Sequence, residues 1–344
     1  MVNGQFFPIY SLLTIDYSPL TPHQMTKFGI IGCGRISHRF MQGLAAVEGV
    51  ELTAAWSRRA ESVEQFTSQY GGKACNSLDE LLASDIDAVY IATLPDSHAY
   101  YSMAALISGK HVLCEKPATV NLSQLDEVLQ VAKNQGLLYM EGMKPPFFPL
   151  YQKLKEHLLS DPIGPAGYVR AGSAVADLSH DHPNFSYELI GGAIMQIAPY
   201  EAFLALDWLG PMTNLQAMGR FSGKEVDMFS IFQTQHDKGY AQLYCGFDLH
   251  GKGDALISGP LGYVTIHKNW WNPTKATVNY LDGRTIELDE PFNSGGLNYE
   301  LAHFCELLRN SQTESPVITH ELSRGMINML DKAREQVGLK FEGE

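Results

Sequence analysis

Cysteine is scarce in this chain and follows no pattern typical of a metal site or a disulfide framework. The five cysteines are Cys33, Cys75, Cys114, Cys245 and Cys305. Their number is odd, no pair has the C-x-x-C spacing, and none belongs to a Cys/His ligand pattern. The sequence therefore predicts reduced thiols, a cytoplasmic protein and no metal site.

Basic residues and long apolar runs are lacking as well. The chain has 25 lysines and arginines against 38 acidic residues, which gives a formal net charge of −13. Such a surface repels a phosphate backbone, so nucleic acid is not an expected partner. The longest apolar stretches, residues 6–15 and 189–206, are too short or are interrupted by polar residues, so none reaches the roughly 20 residues of a membrane span. We expect no membrane partner either.

The first 24 residues differ from the rest of the chain. Residues 6–13 resemble the apolar core of a signal peptide, but no lysine or arginine precedes them. Met25 leads directly into a strand-like apolar run. We therefore predict no signal peptide, and we interpret residues 1–24 as an extension, with Met25 as a candidate true start.

The length of 344 residues, with 45% apolar and 18% charged residues, is typical of a globular protein with two domains. In residues 25–143, short apolar runs alternate with segments of helical periodicity. The predicted strands are residues 27–31, 52–56, 87–92, 111–114 and 137–140. This α/β pattern predicts a Rossmann domain with a doubly wound parallel sheet.

The pattern changes at residues 144–149, where three prolines exclude a continuous helix. We place the domain boundary there and predict that residues 144–344 form an α+β domain with a large, mostly antiparallel open sheet. The predicted strands are residues 168–176, 228–234, 240–247, 263–267 and 276–281, followed by two amphipathic helices. An open sheet with one uncovered face favours pairing with a second copy, so we expect a homodimer or homotetramer that forms through this domain.

A glycine-rich turn after the first predicted strand has the G-x-G-x-x-S form of a dinucleotide-binding fingerprint. The residues are Gly32, Cys33, Gly34, Arg35, Ile36 and Ser37. The two glycines allow the backbone to approach a pyrophosphate at the N-terminus of the following helix. Because a strand precedes the turn and a helix follows it, the context also fits, and we predict nucleotide binding.

The end of the second predicted strand indicates which nucleotide is bound. An NAD site usually has an acidic residue there, to bind the ribose hydroxyls, but this chain has Ser57, Arg58 and Arg59. A guanidinium can pair with a 2′-phosphate, so NADP is favoured and NAD remains possible. The alternative is that these arginines are only a solvated strand end.

Lys116 comes just after the carboxyl end of a predicted parallel strand, where open α/β sheets bind ligands. The sequence Glu115-Lys116-Pro117 at this place, with residues 95–98 (PDSH) upstream, resembles the glucose-fructose oxidoreductase, inositol dehydrogenase and rhizopine-catabolism (Gfo/Idh/MocA) family. The resemblance covers nearly all of the chain from Met25 onward. It implies cofactor contacts beyond the fingerprint, at Thr93, Leu94, His98, Glu115 and Lys116.

The second domain contains a segment, residues 191–200, that is similar to the glycine-rich motif of that family. In the family an Asp is followed four residues later by His or Tyr; here the two positions are Gln196 and Tyr200. Four residues make one helical turn, so we expect both side chains on one helix face. Gln196 departs from the family, because an amide cannot carry the negative charge of a carboxylate.

The resemblance implies hydride transfer, for which we assign Tyr200 as the proton donor. Lys116 is expected to polarise the substrate oxygen and to move the pKa of Tyr200 toward neutral pH. We expect Gln196 to orient the substrate or Lys116, whereas we interpret His180 and His182 as ordinary loop or cap histidines.

These inferences predict an NAD(P)-dependent dehydrogenase or reductase that acts on the CH–OH group of a sugar, polyol or dihydrodiol. The segment Asn298-Tyr299-Glu300 is similar to the dihydrodiol dehydrogenase and xylose dehydrogenase branch of the family. A fold of this kind does not dictate its chemistry, and two alternatives stay open. One is a glycoside hydrolase that uses tightly held NAD, and the other is a non-catalytic regulator that senses the nucleotide.

Overall fold

The computed structural model describes residues 25–179, 182–221, 223 and 225–342. The predicted extension, residues 1–24, and His180 lie outside the described residues. The first sheet has six parallel strands: β1 Thr26–Ile31, β2 Val50–Trp56, β3 Lys73–Ala74, β4 Ala88–Ile91, β5 His111–Glu115 and β6 Tyr139–Gly142. Their order, β3-β2-β1-β4-β5-β6, is that of a dinucleotide-binding sheet and confirms the predicted doubly wound fold.

Five helices connect these strands: α1 Arg35–Leu44, α2 Ala60–Tyr70, α3 Leu78–Leu82, α4 His98–Ile107 and α5 Leu122–Gln135. Their ends follow local chemistry. At the start of α5 the side chain of Asn121 accepts a hydrogen bond of 2.9 Å from the backbone N–H of Gln124. Gly136 ends the helix in the left-handed conformation, with φ 64°.

The second sheet has eight strands: β7 Tyr168–Ala174, β8 Met212–Arg220, β9 Phe229–His236, β10 Gly239–Gly246, β11 Ala255–Gly259, β12 Gly262–Ile266, β13 Lys275–Tyr280 and β14 Thr285–Asp289. Their order is β14-β13-β12-β11-β7-β10-β9-β8. All neighbours are antiparallel except β7 and β10, so the predicted mostly antiparallel sheet is confirmed. Strands β8, β11 and β14 were not predicted.

The helices of this second part are α6 Pro149–Ser160, α7 Ala193–Gln196, α8 Ala198–Leu209, α9 Leu297–Arg309 and α10 His320–Val337. Helix α8 packs on β7 and β10, and α10 packs on α8 and β8. The opposite face of the sheet carries Met218 and Tyr240, which are 67% and 61% exposed in this chain. One face of the sheet is therefore covered by helices, and apolar side chains remain exposed on the other.

The two C-terminal helices also contact the first part of the chain. Helix α9 packs on α1, and α10 packs on α5. The carboxylate of Asp331 accepts a hydrogen bond of 2.8 Å from the backbone N–H of Leu122 at the start of α5. The division into domains at residues 143 and 144 remains a prediction.

None of the helices in the described part of the chain has the length and apolar character that crossing a membrane requires.

Candidate active site

The fingerprint turn connects β1 to α1 and leaves space for a ligand. Gly32 has φ +98°, and a Cβ atom there would lie 2.8 Å from the carbonyl oxygen of Ala92, so only glycine fits. At Gly34 a Cβ atom would meet nothing within 4 Å. Gly34 precedes α1, whose N-terminus has neither a side-chain cap nor an acidic residue in its first turn. Exposed N–H groups at a helix start are the donors that a pyrophosphate needs, so the turn fits the expected cofactor.

The other fingerprint residues support the turn or line its exposed side. The hydroxyl of Ser37 donates to the carbonyl of Gly32, at 2.5 Å. Cys33 is buried, and desolvation raises the pKa of its thiol to about 12, so it is a neutral thiol. Arg35 is exposed and Ile36 is half-buried beside it.

The predicted 2′-phosphate site lies at the same edge of the sheet. The N–H of Gly32 donates to the carbonyl of Trp56 at 2.8 Å, which holds the turn against the end of β2. Ser57 and the exposed Arg58 and Arg59 follow directly. Neither arginine side chain forms an ion pair within the described ranges, so both guanidinium groups are available to an anion.

His98 connects the loops after β4 and β5. It is 1% exposed, and its Nδ1 and Nε2 lie 2.9 Å from the carbonyl oxygen of Pro117 and 3.2 Å from that of Thr93. Thr93 and the next residue, Leu94, are half-buried at the carboxyl end of β4. Both ring nitrogens of His98 therefore contact the backbone, and a direct contact with the cofactor remains a prediction for all three residues.

Glu115 and Lys116 lie at the end of β5. A carboxylate oxygen of Glu115 accepts a hydrogen bond of 2.5 Å from the hydroxyl of Tyr90. The ammonium of Lys116 donates to the main-chain carbonyl of Gln196 at 2.8 Å. Desolvation lowers the pKa of Lys116, and the charge of Glu115 opposes that shift. The structure thus brings Lys116 and the segment around Gln196 together across 80 positions of the sequence.

The expectation that Gln196 and Tyr200 share one helix face is wrong. Gln196 ends α7 and Tyr200 belongs to α8, with Ile197 between the two helices at φ −112°. Pro199, in the first turn of α8, has no N–H to continue the hydrogen bonds of α7, which explains the break. The side-chain amide of Gln196 donates to the carbonyl of Ile190 at 3.1 Å, whereas Lys116 contacts the main-chain carbonyl of Gln196.

Two lysines lie close to the ring of Tyr200. The ammonium groups of Lys116 and Lys144 are 5.2 and 5.4 Å from the centroid of its ring. The expected lowering of its pKa is nevertheless wrong, because desolvation raises the pKa, and the carboxylates of Glu115 and Glu300 raise it further. Tyr200 is therefore a neutral phenol that can donate a hydrogen bond.

Three charged residues of this site were not predicted from the sequence: Arg39, Lys144 and Glu300. Lys144 is 7% exposed, and desolvation, followed by the charge of Arg39, lowers its pKa to about 7. Glu300 is fully buried, its pKa is raised by desolvation, and neither oxygen has a hydrogen-bond partner among the described residues. Lys144 follows β6 at the same sheet edge as Lys116, and that position was the available signal.

A cavity of about 160 Å³ adjoins Tyr200 and is lined mainly by apolar side chains, among them Trp271. Ser173 and Asn184 are polar residues of its wall. His182 acts as a cap, because its Nδ1 accepts a hydrogen bond from the N–H of Asn184 at 3.2 Å, in agreement with its interpretation as a cap histidine. A mainly apolar cavity with a few polar groups in its wall is typical of a small-molecule site.

Comparison with known proteins gives consistent results. The model of the Gfo/Idh/MocA oxidoreductase family, described as having an NAD-binding Rossmann fold, matches residues 26–143. Scyllo-inositol 2-dehydrogenase (NADP(+)) of Bacillus subtilis is 30% identical over 332 residues, which cover 93% of this chain and 99% of that protein. Trans-1,2-dihydrobenzene-1,2-diol dehydrogenase of Xenopus tropicalis is 28% identical over 331 residues, covering 92% of this chain and 99% of that protein.

Solved structures show the same fold. A 3-ketoreductase from Actinomadura kijaniata, in complex with NADP and TDP-benzene, has a TM-score of 0.80 and 24% identity, and the match covers 90% of this chain and 97% of the other. UDP-N-acetylglucosamine 3-dehydrogenase from Acidithiobacillus ferrooxidans has a TM-score of 0.79 and 20% identity, with the same coverage.

Proposed function

This chain belongs to the Gfo/Idh/MocA oxidoreductase family and is an NAD(P)-dependent oxidoreductase, and we propose that it transfers hydride between NADP and a sugar, polyol or dihydrodiol. The observation that carries the proposal is the position of Lys116. It lies at the sheet edge that holds the open fingerprint turn, and its ammonium is 5.2 Å from the ring centroid of Tyr200. The fingerprint turn, Lys116 and Tyr200 therefore lie together at the carboxyl edge of the first sheet. We refer to this region as the cleft.

The proposed chemistry divides between the cofactor and the side chains. When bound, NADPH would supply the hydride to the substrate carbon, and NADP would accept it in the reverse direction. When a carbonyl is reduced, the phenol of Tyr200 donates its proton to the oxygen, which becomes the hydroxyl. The ammonium of Lys116 polarises that oxygen, and its bond to the carbonyl of Gln196 fixes its position. Oxidation of the hydroxyl reverses both transfers and requires Tyr200 as the phenolate, which its raised pKa makes the minor form near neutral pH.

NADP is the proposed cofactor in preference to NAD. The two exposed guanidinium groups of Arg58 and Arg59 support this, because they lie where a 2′-phosphate is bound in this fold. The inositol dehydrogenase relative is named as an NADP(+) enzyme. Cys33, Gly34 and Arg35 would hold the pyrophosphate at the start of α1.

The sugar-like substrate class rests on the relatives and on the cavity. The named substrates of the inositol and dihydrodiol dehydrogenases are small cyclic diols or polyols. The cavity beside Tyr200, with a volume of about 160 Å³, is concave and mainly apolar and includes Ser173 and Asn184 as polar groups of its wall.

We also propose that the chain forms a homodimer or homotetramer through the exposed face of the second sheet. The exposed Met218 and Tyr240 on that face support this, since a sheet face that no helix covers can pack against the same face of a second copy. A Met218→Lys variant should sediment as a smaller species than the unaltered protein.

The five described cysteines are all free and buried, which supports a cytoplasmic location.

The test is a titration followed by turnover. The protein is first titrated with NADPH and NADH by fluorescence, and then scyllo-inositol, xylose and a trans-dihydrodiol are added with NADP while nicotinamide absorbance is recorded. We expect preferential NADPH binding and a rise in absorbance with at least one substrate. Binding without turnover on any of them would favour a nucleotide sensor. Glycoside cleavage without net absorbance change would favour the hydrolase alternative.

A further inference from the structure

Lys144 reaches the cleft because strands β5 and β6 end side by side. Glu115, the last residue of β5, is paired with Gly142, the last residue of β6. Lys116 and Lys144 follow these two strand ends. The carboxyl ends of neighbouring parallel strands meet at one edge, so both lysines enter the same cleft. Their ammonium groups lie 5.2 and 5.4 Å from the centroid of the Tyr200 ring.

The ammonium of Lys144 has no acceptor within the described ranges. Lys116 donates to the carbonyl of Gln196 at 2.8 Å, and Lys110 donates to that of Ile86 at 2.9 Å. Lys144, although only 7% exposed, forms neither a hydrogen bond nor a salt bridge there. A buried cation without an acceptor is unfavourable unless a ligand or water supplies one. An unpaired donor that faces the proposed reacting centre is thus a candidate ligand contact.

The charges around Lys144 indicate what kind of ligand oxygen it binds. Arg39 and Lys116 act on it as positive charges, and Glu115 and Glu300 act as negative charges. Burial raises the pKa of Glu300, so Glu115 is the stronger negative charge beside Lys144. Arg39 already donates to the carbonyl of Gly295 at 2.7 Å. The relatives' named substrates, an inositol and a dihydrodiol, present hydroxyls and no carboxylate, so a hydroxyl is the acceptor that fits Lys144.

We propose that Lys144 is a second substrate-binding lysine, whose ammonium donates a hydrogen bond to a substrate hydroxyl other than the one that exchanges hydride. This inference rests on the proposed function, because it takes Lys116 and Tyr200 as the reacting centre. Lys144 then selects substrates that carry at least two hydroxyls. An oxygen acceptor beside Lys144 would stabilise its ammonium form and would raise its pKa from about 7.

The first experiment measures binding and does not depend on turnover. Scyllo-inositol, xylose and trans-1,2-dihydrobenzene-1,2-diol are titrated calorimetrically into the NADP-loaded protein, and the ligand with the highest affinity is used for the variants. Lys144→Met should weaken its binding roughly 10- to 100-fold, the range for a hydrogen bond to a charged group, and Lys144→Arg should recover part of the loss. Lys155→Met is the matched control, because Lys155 also lies over an aromatic ring, that of Trp208 at 3.9 Å, but pairs with Asp207. Its affinity should equal that of the unaltered protein.

The second experiment observes Lys144 in the unaltered chain, so it does not depend on whether a variant folds. Lysine labelled with ¹³C at the ε-carbon is incorporated, the Lys144 signal is assigned from its absence in Lys144→Arg, and its pH titration is followed with and without the bound ligand. We expect an upward shift of the Lys144 pKa on binding, while the Lys155 signal stays unchanged.

The outcomes separate this inference from the proposed function. Equal affinity in Lys144→Met, or an unchanged Lys144 titration on binding, would overturn the role of Lys144 and leave the proposed function intact. Binding that involves Lys144 but gives no turnover would overturn the proposed function alone. If none of the three ligands binds to the NADP-loaded protein, both are overturned.

Discussion

The ammonium of Lys116 is held by the main chain of Gln196 and not by its side chain. The Lys116 Nζ to Gln196 O distance is 2.8 Å, whereas the Gln196 side-chain amide donates to the carbonyl of Ile190 at 3.1 Å. Any residue at position 196 supplies the same carbonyl. The replacement of an acidic residue by glutamine, which the sequence marked as a departure from the family, therefore leaves the contact of Lys116 unchanged.

This relationship predicts different effects of changing the two residues. Lys116→Met should lower kcat by about 10²- to 10⁴-fold, because the polarising charge is lost. Gln196→Ala should change kcat less than about 5-fold, because the carbonyl remains and only the bond to Ile190 disappears. Steady-state kinetics with the substrate identified above measures both. A loss in Gln196→Ala as large as that in Lys116→Met would mean that the amide itself acts on the substrate.

The phenol of Tyr200 is the expected proton donor, and Tyr200→Phe removes only its hydroxyl. We expect kcat to fall about 10²- to 10⁴-fold while the Kd for NADPH changes less than about 2-fold. Tyr280→Phe is a suitable control, because the Tyr280 hydroxyl donates to the carbonyl of Asp161 at 2.6 Å, away from the proposed site. Normal turnover in Tyr200→Phe would reject the tyrosine as the donor.

The raised pKa of Tyr200 adds a prediction about pH. Since desolvation and the carboxylates of Glu115 and Glu300 raise the pKa, the phenol stays protonated throughout the neutral range. Between pH 6 and 9 the rate of carbonyl reduction should show no step that Tyr200→Phe abolishes. A step near pH 7 that disappears in Tyr200→Phe would show that bound NADP and substrate reverse the shift.

Arg58 and Arg59 should determine the choice of cofactor. Arg58→Ala should raise the Kd for NADPH about 10- to 100-fold and leave that for NADH within about 2-fold, because only NADPH carries the 2′-phosphate. Fluorescence titration with both nucleotides measures the ratio. The exposed Arg309, in the last turn of α9, provides a control for the loss of one positive charge. Equal weakening of both nucleotides would indicate a general electrostatic effect and not 2′-phosphate recognition.

The parts of the fold that the sequence predicted are those with strong burial. All four residues of β4 are buried, and such a strand appears in the sequence as a continuous apolar run. Strand β8 was missed because only Leu215 of its nine residues is buried, so its sequence is polar. Strand β14 alternates polar and apolar residues, but it has only five residues and none of them is fully buried. Partner strands and packing helices determine such segments more than their own pattern does.

The sequence predicted those site residues that belong to a recognisable local motif. Lys116 and Tyr200 lie in motifs that the sequence displays, and the structure brings them to one cleft. Lys144 was interpreted only as the beginning of a proline-rich break, because its importance depends on the pairing of β5 with β6. The direction of the Tyr200 pKa shift was also missed. It depends on Glu300 from a distant helix and on burial, and neither can be inferred from the spacing of Lys116 and Tyr200.

Glu201, next to the proposed proton donor, should make stability depend on pH. It is fully buried, one oxygen accepts a bond of 2.7 Å from the hydroxyl of Ser173, and the other has no partner in the described part of the chain. Desolvation raises its pKa from 4.5 to about 8. In the window between these values the folded state keeps a proton that the unfolded state has released, so the free energy of unfolding decreases as pH rises.

Glu201→Gln should remove this dependence, because the amide is neutral at every pH and its oxygen can still accept from Ser173. The Tm of the variant minus that of the unaltered protein should increase steadily from about pH 5 to about pH 8, by several degrees in total. Above about pH 8 this difference should stay constant. The Tm of both proteins is measured by calorimetry at intervals of one pH unit. The other buried carboxyls contribute equally to both proteins, so their effect cancels in the difference. The exposed Glu335 provides a Glu→Gln control that should show no such gain. A Tm difference that is constant from pH 5 to pH 9 would mean that Glu201 is ionised in the folded protein and that its charge is compensated within the site.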